Sequence, residues 1–242
     1  MSEHQLALRL ALSLWWFWLI RGHLDEGRRR LAAALAGASD ASAESRAEAH
    51  YGLGRLTVIS GSAAEAWAEY EVGLQLAAEL GETRLTARLL IGQARILELR
   101  GDLEGARQLG LVSLAQAREV GDLGQIADAL NVIGNAAWRR GLLVEADDAY
   151  RQALTLARQL GDQARTASLV GNLGGVALAQ GAFEQAERLF EESVREGRGV
   201  GDLLACARAL CNLGASAYRQ GDRLRAQRRY REALQALREL GE

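Results

Sequence analysis

Residues 121–161 read GDLGQIADALNVIGNAAWRRGLLVEADDAYRQALTLARQLG, two amphipathic stretches separated by Gly141. Apolar residues recur at helical spacing on both sides of that glycine, and no proline interrupts them. The stretch is a sample of most of the chain. Glycines fall at 81, 121, 161, 201 and 241, forty apart, and a second series at 61, 101, 141, 181 and 221 lies midway between. A fixed period in this range is the mark of a solenoid, in which each unit buries its apolar face against the next.

Working outward, the period predicts A helices near 43–60, 82–100, 122–140, 162–180 and 202–220. It predicts B helices near 62–79, 102–119, 142–159, 182–199 and 222–240. Glycine accepts the left-handed conformation that ends a helix, and the residue after it can cap the next one. Asp102, Asp122, Asp162, Asp202 and Asp222 each follow a glycine and are expected to cap; Leu142 and Ala182 interrupt that series.

The opening differs. Residues 6–20 hold Trp15, Trp16, Phe17 and Trp18 within an uncharged run between Arg9 and Arg21. That run is shorter than the roughly 20 residues a membrane span needs. Glu3 before it and Arg21-Gly22-His23 after it do not suit a secretory leader. The run predicts a buried end helix packed on a partner at 24–35, with apolar residues on more than one side. Its second side needs a partner outside the pair, or a self-contact. Residues 37–45 (GASDASAES) form the one loop-like stretch and shift the first pair out of register; Asp40 or Ser42 can cap the next helix. The expected division is residues 1–36, a Trp-rich helix pair, and residues 37–242, five regular pairs.

Composition narrows the chemistry. Net charge is −2, which speaks against a general nucleic-acid binder. All 29 basic residues are arginine, so lysine Schiff-base chemistry and a P-loop lysine are excluded. Cys206 and Cys211 sit five apart on one expected helix, pointing roughly 140° apart, which predicts free thiols in a reducing, cytoplasmic setting. His4, His23 and His50 lack spaced ligand partners, and no nucleophile, zinc or nucleotide motif is present. The expectation is a non-enzyme without metal or cofactor.

The repeats resemble tetratricopeptide repeats. Gly54, Gly134, Gly174 and Gly214 match the family's small position in helix A. Ala66, Ala106, Ala146, Ala186 and Ala226 match the small position in helix B, followed four residues on by Tyr70, Tyr150, Phe190 and Tyr230. Gly73, Ser113, Ala153, Ser193 and Ala233 match the next small position. The third repeat departs, with Ala94 and Gly110 in place of glycine and aromatic, and the family's proline after helix B is absent. The resemblance implies an all-α, right-handed superhelix of about six helix pairs. The forty-residue form is similar both to peptide-binding adaptors of the kinesin-light-chain kind and to C-terminal sensor regions of large bacterial signal-transduction ATPase regulators. The Trp-rich opening followed by RGHLDEGRRRLAAALA looks like the second group. In that setting the chain is expected to be one region of a larger protein.

In the family, A helices line a concave groove that binds partners. Carried over residue by residue, the groove set begins with Tyr51, Arg55, Arg88, Arg95 and Glu98. It continues with Asn131, Asn135, Trp138, Arg139 and Asn172, then Arg208, Asn212, Tyr218 and Arg219. Asparagine offers donor and acceptor to a peptide backbone, and Trp138 and Tyr218 offer flat apolar anchors. Arginine predominates among the charges, so the expected partner is a protein or peptide with acidic groups, neither nucleic acid nor membrane. Trp15, Trp16 and Trp18 are expected to dock another domain of the same parent protein. The arginine-rich helix 222–240 reads as a solvated face, diluted by Glu232 and Glu239.

Overall fold

A computed structural model describes residues 2–241, and their side chains as far as residue 239. Among the described residues there are twelve α-helices and no strand. They are α1 (Glu3–Ile20), α2 (Leu24–Gly37), α3 (Ala43–Ile59), α4 (Ala63–Leu80), α5 (Thr83–Arg100) and α6 (Leu103–Glu119), then α7 (Leu123–Arg139), α8 (Leu143–Gln159), α9 (Gln163–Ala179), α10 (Phe183–Val200), α11 (Leu203–Arg219) and α12 (Arg223–Gly241). They pair in chain order, odd-numbered helices being A and even-numbered ones B, so the described chain is all-α.

The turns work as the sequence predicts. Gly121 and Gly141 have φ of 68° and 78°, where a side chain would be strained. After them the aspartates cap: Asp102, Asp162 and Asp202 accept from the backbone N–H three residues on, at 2.8–2.9 Å, and Asp122 and Asp222 do the same. Leu142 and Ala182 supply no side-chain cap. At the register break Ser42, not Asp40, caps α3; Asp40 instead accepts from Gln5 of α1.

Two compact units divide within α7, the first running to Gln125 and the second from Ile126. In the first unit, Trp18 is buried and its Cβ lies 2.7 Å from where a Cβ on Gly27 would stand, so α1 and α2 cross at that glycine. Leu8, Trp18, Leu31, Leu53 and Leu56 share one core, joining the opening pair to α3. Tyr70 of α4 is wedged between Gly54 and Gly92: a Cβ at either would lie 2.4 Å from its ring. Ser113 Oγ closes the α5–α6 crossing by donating to the Ala87 carbonyl at 2.9 Å.

The second unit repeats this chemistry. Cβ atoms on Gly134, Gly174 and Gly214 would fall 2.6–2.7 Å from the rings of Tyr150, Phe190 and Tyr230. Ala146 and Ala186 are wholly buried at the crossings, and Ser193 Oγ donates to the Ala167 carbonyl at 2.7 Å, as Ser113 does in the first unit. Glu187 of α10 ties the last three helices together. It accepts from Gln220 at 2.7 Å, from Ser216 at 3.4 Å and from the Arg225 guanidinium. Burial pushes its carboxyl pKa up, but those hydrogen bonds and the arginine charge outweigh it, and the net shift is downward. Cys206 is buried and donates to the Val194 carbonyl, and burial raises its thiol pKa. Cys211 is exposed, and both are free thiols.

Candidate functional site

The groove residues read from the sequence divide between the two units and behave differently in them. In the first, Tyr51 is buried on α3. The Arg88 guanidinium stacks 4.4 Å above its ring and donates to Glu48 at 2.8 Å. Arg55 donates to the Tyr51 hydroxyl at 3.1 Å and also lies 5.9 Å from the Trp16 ring. Trp15 meets Tyr51 edge-on at 5.7 Å. Arg95 and Glu98 are half-buried beside them on α5. This is a network in which each arginine of the Tyr51 cluster already has an acceptor or an aromatic face.

In the second unit, asparagine takes over. Asn172 of α9 donates to Asn131 Oδ1 of α7 at 2.8 Å and, at 3.4 Å, to Asn135 Oδ1. The buried Tyr150 reaches up from α8 and donates to the same Asn135 oxygen at 2.8 Å. All three asparagines are half-buried. Among the described residues the Asn131 Nδ2 and the Asn172 Oδ1 have no partner. One spare donor and one spare acceptor, held on neighbouring A helices, is the pattern an extended backbone can meet.

Trp138 lies one turn along α7 and is 43% exposed. Its indole rests over Gly175 of α9, where a Cβ would sit 3.9 Å from the ring. On α11, Asn212 is half-buried, while Arg208, Tyr218 and Arg219 are exposed. Arg219 reaches back to α9 and donates to the Leu178 carbonyl at 3.1 Å, one of the last carbonyls of that helix, which its charge also suits. Arg139 is exposed at the end of α7. The structure therefore brings Asn131, Asn135, Asn172 and Trp138 together, with the α11 residues on a further A helix of the same unit.

Two contributors were not read as part of a site. Tyr150 matches the packing aromatic, yet its hydroxyl also orients Asn135. Gly175 is the second glycine of a Gly-Gly pair in which Gly174 alone answers the Phe190 ring; that surplus glycine was the available signal.

The tryptophan face is narrower than expected. Trp18 is taken up by the α1–α2 core and Trp15 is half-buried against Gly52 and Tyr51. Trp16 is 48% exposed, as is Phe17 beside it. On α12, Arg225 pairs with Glu187 and Arg229 with Glu191 and Glu232, so part of that helix's positive charge is neutralised within the unit. Among the described residues no three His, Cys, Asp or Glu side chains are placed to hold a metal ion, and no helix is long and apolar enough to cross a membrane.

The tetratricopeptide repeat family model matches residues 125–195 and 162–239. No curated protein matches the chain in sequence. Among solved structures, the apo form of RapI is similar over 100% of this chain and 86% of its own, at 11% identity and a TM-score of 0.78. NprR in complex with its cognate peptide NprX is similar over 99% of this chain and 70% of its own, at 15% identity and a TM-score of 0.76. Aspartyl phosphate phosphatase F from Bacillus subtilis is similar over 98% and 61%, at 10% identity and a TM-score of 0.76. At such identities the likeness is one of fold. The second unit of this chain is thus built of tetratricopeptide repeats, and the whole described chain has the tetratricopeptide-like fold.

Proposed function

We propose that the chain is a protein-binding module whose ligand is an extended peptide segment, held on the A-helix face of the second unit. The observation that carries this is the Asn131–Asn135–Asn172 cluster with its spare donor and acceptor, set beside the half-exposed Trp138. The asparagines meet the peptide backbone, and Trp138 covers an apolar side chain. Arg139 at the end of α7 and Arg208 on α11, both exposed, bias the segment toward acidic residues. The likeness to NprR, which has been solved with a cognate peptide, supports a peptide ligand. The regulatory setting follows the same line: in a cytoplasmic multidomain bacterial regulator, such a segment would shift the balance between two states by binding one of them more tightly. The reading is one of binding rather than catalysis.

The test is selection of displayed random peptides on the whole chain, followed by calorimetry with the selected sequences. Selected peptides are expected to bind the native chain and to lose about 30-fold or more in affinity to the Trp138→Ala variant, the loss of a hot-spot tryptophan. Failure to select any peptide, or full affinity in the Trp138→Ala and Asn131→Ala variants, overturns the reading.

A further inference from the structure

Gly175 has no packing reason to be glycine. It lies inside α9 and its φ is not positive, so the backbone does not ask for it. The glycines at the helix crossings differ. A Cβ on Gly54, Gly92, Gly134, Gly174 or Gly214 would stand 2.4–2.7 Å from a ring carbon, and one on Gly171 would stand 3.0 Å from the Ser193 hydroxyl. A Cβ on Gly175 would meet nothing nearer than 3.9 Å, an ordinary contact with the Trp138 indole. Alanine therefore fits the fold at this position. It would also make a more stable helix, because glycine has more backbone freedom to lose on folding. The chain forgoes that stability for something other than packing.

The surroundings of Gly175 point to a ligand. The same position of the other regular A helices, counted in steps of forty, holds Arg55, Arg95, Asn135 and Ala215, so α9 alone presents bare backbone there. Asn172, three residues earlier, shares that side of the helix and carries the spare amide oxygen described above. The atoms of Trp138 nearest Gly175 are Nε1, Cε2 and Cζ2, so the N–H edge of the indole borders the uncovered backbone. The indole nitrogen is a donor only, and among the described residues it has no acceptor. Uncovered backbone, a free indole N–H and a free amide oxygen thus lie together on one half-exposed face.

We propose that the main chain of the bound peptide passes directly over Gly175, too close to admit a Cβ, and that one of its carbonyl oxygens accepts from Trp138 Nε1. This rests on the peptide-binding reading above and makes Gly175 a positioning residue of that site. The hollow left by one missing methyl group is too shallow to take a large side chain, but it lets a backbone come closer to the helix, which is what glycine at a ligand surface provides. Trp138 then has two roles. Its ring covers an apolar side chain, and its nitrogen fixes where the strand crosses α9.

Thermal unfolding and calorimetric titration of four whole chains test this, using one peptide selected on the native chain. The chains are the native protein, Gly175→Ala, Gly199→Ala and Trp138→Phe. Gly199 of α10 is exposed and a Cβ on it meets nothing within 4 Å, so Gly199→Ala controls for helix propensity alone. Gly175→Ala should unfold at or above the native midpoint, by up to roughly 2–4 °C, while its affinity falls about tenfold or more. Gly199→Ala should keep native affinity. Trp138→Phe, which keeps a ring and loses the donor, should bind about 3- to 10-fold more weakly. Native affinity in Gly175→Ala overturns the proposal, and a loss in Trp138→Ala beside it leaves the peptide-binding reading standing. A lowered midpoint in Gly175→Ala also overturns it, by making the glycine a packing residue. Native affinity in Trp138→Phe overturns the indole hydrogen bond. A native chain that selects no peptide overturns both readings together.

Discussion

The A-helix faces of the two units share a scaffold and differ in what is left over. Around Tyr51 the arginines are spent on the protein itself: Arg88 on Glu48 and the Tyr51 ring, Arg55 on the Tyr51 hydroxyl. Around Asn135 the hydrogen bonds also link one helix to the next, but a donor on Asn131 and an acceptor on Asn172 remain, beside an exposed indole. The difference teaches that residue type at a groove position is a poor guide to a binding surface. Arginine promises affinity for acidic ligands, yet a guanidinium above a tyrosine and against a carboxylate is structural. Asparagine promises less, yet an asparagine pair keeps half its capacity after bonding to itself.

The packing beneath these faces gives the largest expected effects. Phe190→Ala in the second unit should lower stability by about 3–5 kcal/mol, since a wholly buried ring leaves a cavity against Gly174. Chemical denaturation reads this directly. Gly134→Ala should cost about 1–3 kcal/mol, because its Cβ would stand 2.6 Å from the Tyr150 ring and overpack the crossing. It should also weaken peptide binding by tilting the ring that holds Asn135.

The first unit offers the converse. Ala94 and Gly110 exchange the usual glycine and aromatic, so each explains the other: with no ring on α6, the α5 position tolerates a Cβ. Gly110→Tyr alone should destabilise by about 1–3 kcal/mol, and adding Ala94→Gly should recover much of that loss. A double-mutant cycle that is additive would break this coupling. Smaller still, Arg88→Met should cost about 0.5–1 kcal/mol in stability while leaving peptide affinity unchanged.

The smallest effect lies in acid. The Glu187 carboxyl is held below its usual range in the folded chain. Its contribution is therefore complete above the unfolded carboxylate pKa, near 4.3, and is lost as pH falls through the lower folded value. Thermal unfolding followed from neutral pH downward should show a shallower acid decline for Glu187→Gln than for the native chain. An identical slope would contradict the clamp.

Much of this architecture was legible because the repeat is written in glycine and aspartate. Turn glycines have no substitute at positive φ, and the aspartate after them has one geometric task, so helix ends fell within a residue or two of expectation. Gly54, Gly134, Gly174 and Gly214 were legible for the same reason, a ring sixteen residues on that leaves no room for a Cβ. The candidate site was legible only as a list of facing positions. Which of those side chains are already engaged depends on neighbours 37 to 41 residues away, as with Asn172 and Asn131 or Arg219 and Leu178, and a forty-residue period brings many pairs of that separation together. Trp15, Trp16 and Trp18 show the limit most plainly. Adjacent in sequence and alike in chemistry, they end half-buried, exposed and buried because a helix turns each to a different side.

The central claim is that the second unit's A-helix face binds a peptide and the first unit's does not. Calorimetric titration of a selected peptide into three proteins tests it most directly: the native chain, an Asn131→Ala/Asn135→Ala/Trp138→Ala variant, and an Arg55→Ala/Arg88→Ala variant, each first shown to be folded. The account predicts native affinity for the arginine variant and loss of measurable binding in the asparagine–tryptophan variant. Retention of binding by the latter, or its loss in the former alone, would contradict the account.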